Sequence, residues 1–335
     1  MTTLKDIADH FALSESTVSR ILNGKGRASE ETRLRVRDYA SRVGYRPNLT
    51  ARNLRMQATG AIGVVVPDIS NPWYATFYKH VDDFARAAGY RLVLFDTDED
   101  ADREGVVAAY LPMAQVDGLI VATSGSDAYS SLDDSNLRRV VFVDNEPATT
   151  ADNEGNQRPV RFIGSDNVDA AVRLTQHLLD SGRTRIATVT GPLGESSARQ
   201  RLDGFHQAMA AADLPVPENW VVETNFLYDD GYRAAVELLA GERPQAIIAQ
   251  NNVLAYAAVR AAREAGLKVR KDIAVVCFDH IDVYGCMRPA ITAMCQPIEA
   301  LAELALNAVV SAVRGNPQPP ERSILESVFV AGETA

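Results

Sequence analysis

Five polar side chains lie close together near the N-terminus, where the apolar residues recur with helical spacing: Glu15, Ser16, Thr17, Ser19 and Arg20. Arginine can donate two hydrogen bonds to guanine, serine can bond to several base edges, and glutamate can accept from cytosine. Short hydroxyl side chains beside one arginine therefore suit a helix that lies in the major groove of DNA. An ordinary helical hairpin at the start of a globular domain is the alternative explanation.

Two short helices joined by a tight turn at residues 12–14 would position these side chains. Thr3 and Asp6 have the spacing of a capping box on the first helix, and Ser14 can cap the second. Two apolar stripes should face each other, formed by Ile7, Ala8 and Phe11 and by Leu13, Val18, Ile21 and Leu22. Ser29 should cap a third helix, which runs from Glu30 to about Val43 and ends at Gly44. Its apolar residues should complete a three-helix core: Leu34, Tyr39, Ala40 and Val43.

The charge of the chain is unevenly distributed. Residues 1–60 contain 11 Lys and Arg against 6 Asp and Glu, a net charge of +5, whereas residues 61–335 carry −15. A small basic head on a large acidic body is typical of a DNA-binding module attached to a module that does not bind DNA. Four arginines of the third helix could contact phosphates or simply form a solvated face: Arg33, Arg35, Arg37 and Arg42.

Residues 47–55 have helical composition but are too few to form a stable helix alone. Ala51 and Leu54 lie three residues apart on one face, beside Arg52 and Arg55. An apolar wedge flanked by arginines suits insertion into the minor groove at a base step. Residues 57–60 are predicted to form a linker.

From Ala61 onward, apolar runs alternate with helix-like segments. The runs cover residues 61–67, 90–96, 117–122 and 139–144, and then 161–165, 185–191, 245–251 and 273–279. This alternation predicts parallel sheets with crossover helices. Two series over about 270 residues favour two similar α/β lobes over one large sheet.

Polar side chains follow several of these predicted strands: Asp68, Asp96, Asp144, Asn251 and Asp279. Ligands of open parallel sheets bind beyond the carboxyl ends of the strands. Together with Arg201, Trp73, Tyr74 and Phe226, such groups suit a polyol, because carboxylates and arginine bond to hydroxyls and aromatic rings cover C–H faces. The alternative is that each strand-end residue merely caps a helix or a turn.

The sequence argues against several other classes of protein. It contains no apolar run long enough to span a bilayer, and its N-terminus lacks a secretory pattern, so we expect a cytoplasmic protein. The spacing of Cys277, Cys286 and Cys295 fits neither a disulfide framework nor a zinc site, and we predict no metal and no cofactor.

An enzyme and a transport-type binding protein are the two alternative functions. A dehydrogenase would need a glycine turn after the first strand, but Asp68-Ile69-Ser70-Asn71-Pro72 occupies that place, and residues 191–194 match no phosphate-binding motif. We find no nucleophile–base pair, so we predict no catalytic residues, and the acidic residues 96–102 are interpreted as a solvated loop. A transport-type binding protein would explain the two lobes but not the basic head.

Segments spread over nearly the whole chain resemble the lactose-repressor/galactose-repressor family of bacterial regulators in order and spacing. They are Thr3–Ala8, Ser14–Asn23, Gly44–Asn48, Ile62–Asp68, Asn71–Pro72, Thr190–Pro192, Arg199–Phe205, Ala249–Asn252 and Val275–Asp279. The resemblance implies a DNA-binding transcriptional regulator, most often a repressor, that acts as a homodimer. Helix-turn-helix heads would be joined by hinge helices to a periplasmic-binding-protein-like core of two parallel-sheet lobes, with a small carbohydrate between the lobes.

This resemblance also assigns domains and roles. The predicted domains are residues 1–46 (head), 47–60 (hinge helix and linker) and 61–335 (core), with one lobe at about 61–160 plus 291–320 and the other at about 161–290 plus 321–335. Base contacts fall to Glu15, Ser16 and Arg20, DNA-backbone contacts to Thr3, Thr17, Ser19 and Asn23, and the minor-groove wedge to Leu54 with Ala51. Effector contacts fall to Arg201, Phe226, Asn251, Asp279 and Gln296. The argument from strand ends and aromatic side chains adds Asp68, Trp73, Tyr74 and Asp144 to the predicted effector-binding residues.

Three positions depart from the family pattern. Ala12 stands where a turn glycine is usual, and Asn252 and His280 each replace a common aspartate. The two latter changes predict a less acidic cleft. A sugar acid or a sugar phosphate therefore becomes a more plausible effector, in addition to a neutral sugar. The chain ends without an apolar heptad tail, so a dimer is expected rather than a tail-assembled tetramer. Whether the effector acts as inducer or corepressor stays open.

Overall fold

The computed structural model describes residues 3–22, 28–45, 58–151, 155–279, 288–317 and 319–335. The chain forms two compact units, Met1–Thr59 and Gly60–Ala335. The predicted hinge helix, and with it Ala51 and Leu54, lies outside the described residues, as do Asn23 and His280. Across the described part of the chain, no helix combines the length and the apolar character needed to cross a membrane.

The first unit contains helices α1 (Leu4–Phe11), α2 (Glu15–Leu22) and α3 (Glu30–Arg42). The predicted caps are confirmed: Thr3 and Asp6 form the capping box of α1, and the hydroxyls of Ser14 and Ser29 accept from the backbone amides of Thr17 and Thr32. Each cap satisfies an amide that has no partner within its helix.

The three helices enclose a small apolar core. Its buried members are Ile7, Ala8, Val18, Ile21, Val36 and Ala40. The two predicted apolar stripes of α1 and α2 both contribute to it, but the prediction for Leu34 is wrong, because this side chain is 60% exposed. Val36 occupies the core instead, since two residues further along α3 the side chain points to the other side of the helix.

Ala12 ends α1 in the left-handed conformation, with φ 50° and ψ 40°. Its amide donates to the carbonyls of Ala8 and Asp9, which closes the turn toward α2. The left-handed conformation costs a residue with a Cβ atom about 1–2 kcal/mol. The turn therefore keeps the geometry that a glycine would provide, at the cost of some backbone strain.

The second unit contains twelve strands among its described residues. They are β1 (Ala61–Val66), β2 (Arg91–Asp96), β3 (Gly118–Val121), β4 (Val140–Val143), β5 (Arg161–Ser165), β6 (Ile186–Thr190), β7 (Val221–Glu223), β8 (Ala246–Ala249), β9 (Ala274–Phe278), β10 (Thr292–Cys295), β11 (Arg322–Leu325) and β12 (Val328–Val330). All eight predicted strands are present. Seven of them are largely buried on both faces, whereas β2 is half-buried at the edge of its sheet.

Helices cover both faces of the sheets. They are α4 (Pro72–Ala88), α5 (Ala101–Ala108), α6 (Asp134–Leu137), α7 (Asn167–Asp180), α8 (Ser196–Ala211), α9 (Tyr228–Ala240), α10 (Asn252–Glu264) and α11 (Ile298–Arg314). Between β3 and β4, a 3-10 turn at Ala128–Ser131 precedes the single turn of α6.

The strands form two six-stranded sheets, each the centre of a lobe. The first lobe has the order β11-β5-β4-β3-β1-β2, with every pairing parallel. The second has the order β12-β10-β9-β8-β6-β7, in which β12 pairs antiparallel with β10. The predicted fold of two parallel-sheet lobes is confirmed.

The predicted lobe boundaries differ from the observed sheets. Strand β5 pairs with β4 and so belongs to the first lobe, β10 pairs with β9 in the second, and β11 pairs with β5 in the first. Strands β11 and β12, only two residues apart in the chain, lie in different sheets. The chain thus passes between the lobes near residues 166, 296 and 327, and only strand pairing, which is non-local, fixes these points.

Candidate functional site

One face of α2 is polar and exposed. Glu15, Ser16 and Arg20 are exposed, while Thr17 and Ser19 are half-buried. Packing of Val18 and Ile21 into the core of the head fixes which face of α2 points outward. The side chains predicted to contact bases are therefore available on the surface of the first unit.

The hydroxyl groups around the start of α2 are hydrogen-bonded to one another. The Ser14 hydroxyl lies 2.8 Å from the hydroxyls of both Ser16 and Thr17. Thr3 is exposed, and its hydroxyl accepts from the amide of Asp6 at 3.2 Å. Thr3 and Thr17 thus have a structural role at helix starts that is compatible with a further bond to a phosphate oxygen.

All nine side chains predicted to bind an effector line one pocket between the two lobes: Asp68, Trp73, Tyr74, Asp144, Arg201, Phe226, Asn251, Asp279 and Gln296. The pocket has an empty volume of about 490 Å³, part of it continuous with solvent. Strand-end Asp96 does not line the pocket; its carboxylate instead accepts from the amide of Ile69 at 3.3 Å.

The backbone at four lining residues is left-handed. The φ angles are 57° at Glu99, 63° at Asp144, 63° at Phe226 and 59° at Asp279. Asp144 and Asp279 directly follow β4 and β9, so the turn occurs at the carboxyl end of each strand. Non-glycine residues in this conformation are uncommon and cluster at binding sites, where the surrounding structure holds them.

A hydrogen-bonded chain of polar side chains crosses the pocket from one lobe to the other. The Tyr74 hydroxyl donates to Asp144 at 3.1 Å, and the Gln296 side-chain amide donates to Asp144 at 3.4 Å and to Asp279 at 2.8 Å. The backbone amide of Gln296 also donates to Asp279 at 2.8 Å. Gln296 lies where the chain passes between the lobes, and it therefore links the two strand-end carboxylates.

Arg201 is held rigidly in the second lobe. Its Nε donates to Asn167 at 2.8 Å, its Nη1 donates to the carbonyl of Gln250 at 2.6 Å, and its guanidinium lies 4.4 Å from the centre of the Phe278 ring. Its Nη2 is 3.8 Å from Asp279. Burial raises the pKa of Asp279, and the neighbouring Arg201 opposes that rise.

Aromatic rings form two walls of the pocket. Trp73 stacks on Phe77, with ring centres 5.4 Å apart, and meets Tyr74 edge-on. Phe226 lies directly over Gly191, where a Cβ atom would be only 2.0 Å from a ring carbon. The carbonyl of Phe226 accepts from Asn251 at 3.2 Å, and Asn251 also caps α10, so the alternative capping role predicted for it is fulfilled as well.

Several buried polar atoms that line the pocket have no hydrogen-bond partner: Trp73 Nε1, Arg201 Nη2, Gln296 Oε1 and both side-chain polar atoms of Asn252. Unsatisfied buried polar groups are costly and rare in folded proteins. Their concentration in one pocket indicates that a polar ligand completes their hydrogen bonds.

Sequence reasoning did not assign Glu99 and Glu195, which also line this pocket. Burial, together with the nearby charges of Asp68, Glu104 and Asp144, raises the pKa of Glu99 to about 7. Burial and the charge of Glu99 raise the pKa of Glu195 well above its usual range. Glu99 lies in the segment interpreted as a solvated loop, but it is half-buried, and its backbone amide donates to the carbonyl of Pro67 just after β1. The cleft is thus more acidic than the sequence suggested.

In the part of the chain that the structure describes, Cys277 and Cys295 form no disulfide, and Cys277 is buried. Burial raises the pKa of the Cys277 thiol well above its usual range. Among the described residues, no group of three or more His, Cys, Asp or Glu side chains could hold a metal ion.

Two family models match the chain in succession. Residues 3–48 match bacterial regulatory proteins of the lacI family, and residues 59–309 match the periplasmic binding proteins and sugar binding domain of the LacI family. The first covers the head with α1–α3, and the second covers most of both lobes.

Curated relatives and solved structures agree with these models. The chain is 33% identical to the HTH-type transcriptional regulator DegA of Bacillus subtilis, over 90% of this chain and 88% of that protein. It is 32% identical to the ribose operon repressor of Escherichia coli, over 92% of each chain. The structure of the transcriptional regulator CelR in complex with cellobiose matches with a TM-score of 0.70 and 26% identity, over 100% of each chain. A regulatory head, a sugar-binding-type core and relatives that are regulators lead to one conclusion: the chain belongs to the LacI family of bacterial regulatory proteins.

Proposed function

We propose that the protein is a sequence-specific transcriptional repressor whose operator affinity is switched by a small carbohydrate-type effector bound between its two lobes. The observation that carries this proposal is the pocket of carboxylates, one arginine and aromatic walls, with unpartnered buried polar atoms, in a chain that also has a helix-turn-helix head. The cellobiose complex of the related regulator CelR and the name of the ribose operon repressor support a carbohydrate effector and a repressor.

Operator recognition is assigned to the exposed face of α2. Glu15, Ser16 and Arg20 would contact base edges in the major groove, and Thr3, Thr17, Ser19 and Asn23 would contact the DNA backbone. Ala51 and Leu54, in the proposed hinge helix, would enter the minor groove. A homodimer would place two such heads on the half-sites of a near-palindromic operator.

The switch follows from the way in which the pocket joins the lobes. Asp68, Tyr74 and Asp144 belong to the first lobe, whereas Arg201 and Asp279 belong to the second. An effector that bonds to both sets favours the lobe arrangement in which both can reach it. Because the proposed hinge joins the first lobe, a change in the angle between the lobes alters the geometry of the dimer and hence its affinity for the operator.

Selection of binding sites from random duplexes tests the DNA part of the proposal. The full-length protein should select a near-palindrome with half-sites about one helical turn apart. Arg20→Ala should relax the preference at one position in each half-site, by about tenfold, since a bidentate contact contributes about 1–3 kcal/mol of discrimination.

Arg42→Ala is a control that removes an equal charge from the exposed end of α3. It should leave the selected sequence unchanged, even if it weakens binding to all duplexes equally. If Arg20→Ala also leaves the selected sequence unchanged, Arg20 makes no base contact. A wild-type protein that selects no sequence would overturn the proposed function.

A further inference from the structure

Charge is unevenly distributed in the pocket between the lobes. Five carboxyl side chains line it, Asp68, Glu99, Asp144, Glu195 and Asp279, whereas Arg201 is the sole Lys or Arg among the described lining residues. Arg201 lies beside Asp279, and the negative charge of Asp279 already compensates the positive charge of Arg201. The part of the pocket formed by the other four carboxyl groups therefore has no cation of its own.

Glu99 and Glu195 reach this acidic part from different lobes. Glu99 follows β2 of the first lobe, and Glu195 precedes α8 of the second. Glu195 is only 3% exposed, and one of its oxygens accepts from the side-chain amide of Asn145 at 2.7 Å. No donor among the described residues reaches the Glu99 carboxyl group. The two carboxyl groups are close enough that the charge of Glu99 raises the pKa of Glu195.

The same pocket carries independent signs of a ligand. Asn252 is fully buried and both of its side-chain polar atoms lack a partner, and Gln296 Oε1 and Arg201 Nη2, in side chains more than nine-tenths buried, lack one too. These atoms offer both donors and acceptors, as a hydroxyl-rich molecule requires. The acidic part is thus one end of a site that otherwise fits a polyol.

A metal ion does not fit this acidic part, because no three carboxyl groups among the described residues converge closely enough to hold one. An organic ammonium group has different needs: it donates three hydrogen bonds and tolerates acceptors that are spread apart. Bonds between a charged donor and a charged acceptor are also stronger than neutral ones.

We infer that the effector is an amino sugar, or a similar polyol with one protonated amino group, and that this group lies between Glu99 and Glu195. The inference rests on the proposed function and narrows its effector class. Anionic sugars are excluded by the same carboxylates, since an acid or a phosphate would lie among like charges.

Binding should depend on pH with a definite sign. An ammonium group requires the ionised forms of Glu99 and Glu195, which face Asp68, Asp98, Glu104 and Asp144 in the first lobe and Arg201 in the second. Because the pKa of Glu99 is about 7 in the free protein, binding releases protons. Affinity should therefore rise from pH 5.5 to pH 7, a range in which an amino sugar stays protonated. The affinity for a neutral sugar should not increase with this ionisation.

The test uses the full-length protein and thermal-shift titration with four matched ligands, namely glucose, glucosamine, gluconate and glucose 6-phosphate, and with the same four forms of galactose. An amino sugar should be the tightest binder, at least about tenfold tighter than its neutral parent. Its affinity should fall about tenfold or more in Glu99→Gln and in Glu195→Gln. Glutamine at 195 can still accept from Asn145, so the variant should fold. Glu303→Gln, on the exposed face of α11, is the matched control and should change nothing.

Tighter binding of a neutral or anionic member, or a series in which no amino sugar stabilises the protein, overturns the inference. The inference is also overturned if the affinity for the amino sugar changes neither with pH nor in either glutamine variant. Selection of a near-palindromic operator by the wild-type protein and by Glu303→Gln, measured in parallel without sugar, separates this failure from failure of the proposed function, because it tests the DNA part alone.

Discussion

Replacement of Arg201 by alanine gives the sharpest test of how the pocket is built. Arg201 is 4% exposed, and its partner Asp279 is also 4% exposed. Removal of one partner of a buried ion pair costs about 3–5 kcal/mol, because the other charge stays buried without compensation. The variant also leaves Asn167 and the Gln250 carbonyl without the donor that they have now. We expect a total loss of about 4 kcal/mol in the free energy of unfolding.

This loss should depend on pH. Without Arg201, no cation among the described residues opposes the rise that burial causes in the pKa of Asp279. An acid whose pKa is higher in the folded than in the unfolded protein favours folding at low pH, and this contribution is lost as the pH rises above the ordinary value of about 3.9. The variant should therefore be destabilised less at pH 4.5 than at pH 7.5. Adding Asp279→Asn should recover about 1–3 kcal/mol and remove the pH dependence.

Thermal unfolding of the full-length protein, followed by circular dichroism, measures the effect. About 4 kcal/mol corresponds to a fall in Tm of roughly 12 °C for a unit of this size. Arg199→Ala, on the exposed side of the same helix, should shift Tm by about 1 °C or less. Equal Tm values for the two variants, or a loss at position 201 that does not change with pH, would refute the buried ion pair as the source of stability.

Two further substitutions test steric crowding in the second unit and backbone strain in the first. Gly191→Ala should destabilise the core by about 1–3 kcal/mol, since its methyl group would collide with the Phe226 ring, whereas Gly194→Ala meets nothing within 4 Å and should be neutral in urea unfolding. Equal effects at 191 and 194 would contradict the collision. Ala12→Gly should stabilise the head by about 0.5–1 kcal/mol, because it relieves the left-handed strain at φ 50°. Amide hydrogen exchange of α1 and α2 in the full chain measures this, and Ser41→Gly inside α3 should act in the opposite direction.

Local signals in the sequence determined the elements of both units. Caps such as Ser14 and Ser29 depend on contacts within three residues, and the apolar runs of the core mark buried strands wherever they occur. The carboxyl ends of parallel strands meet at one edge, so strand-end residues such as Asp144 and Asp279 could be placed in one pocket before the fold was known.

Tertiary structure alone decided which strand belongs to which lobe and how acidic the pocket is. Strands β10 and β11 have no local feature that reveals their partners, because pairing joins residues far apart in the chain. Glu99 lies in an acidic loop that is indistinguishable in sequence from a solvated one. Its partial burial, and the resulting shift of its pKa to about 7, arise only when the fold brings it near Asp68, Glu104 and Asp144. The charge of Glu99 in turn raises the pKa of Glu195, which comes from the second lobe. A residue's neighbours in sequence report its local conformation, but its charge state depends on groups that only the folded chain brings near.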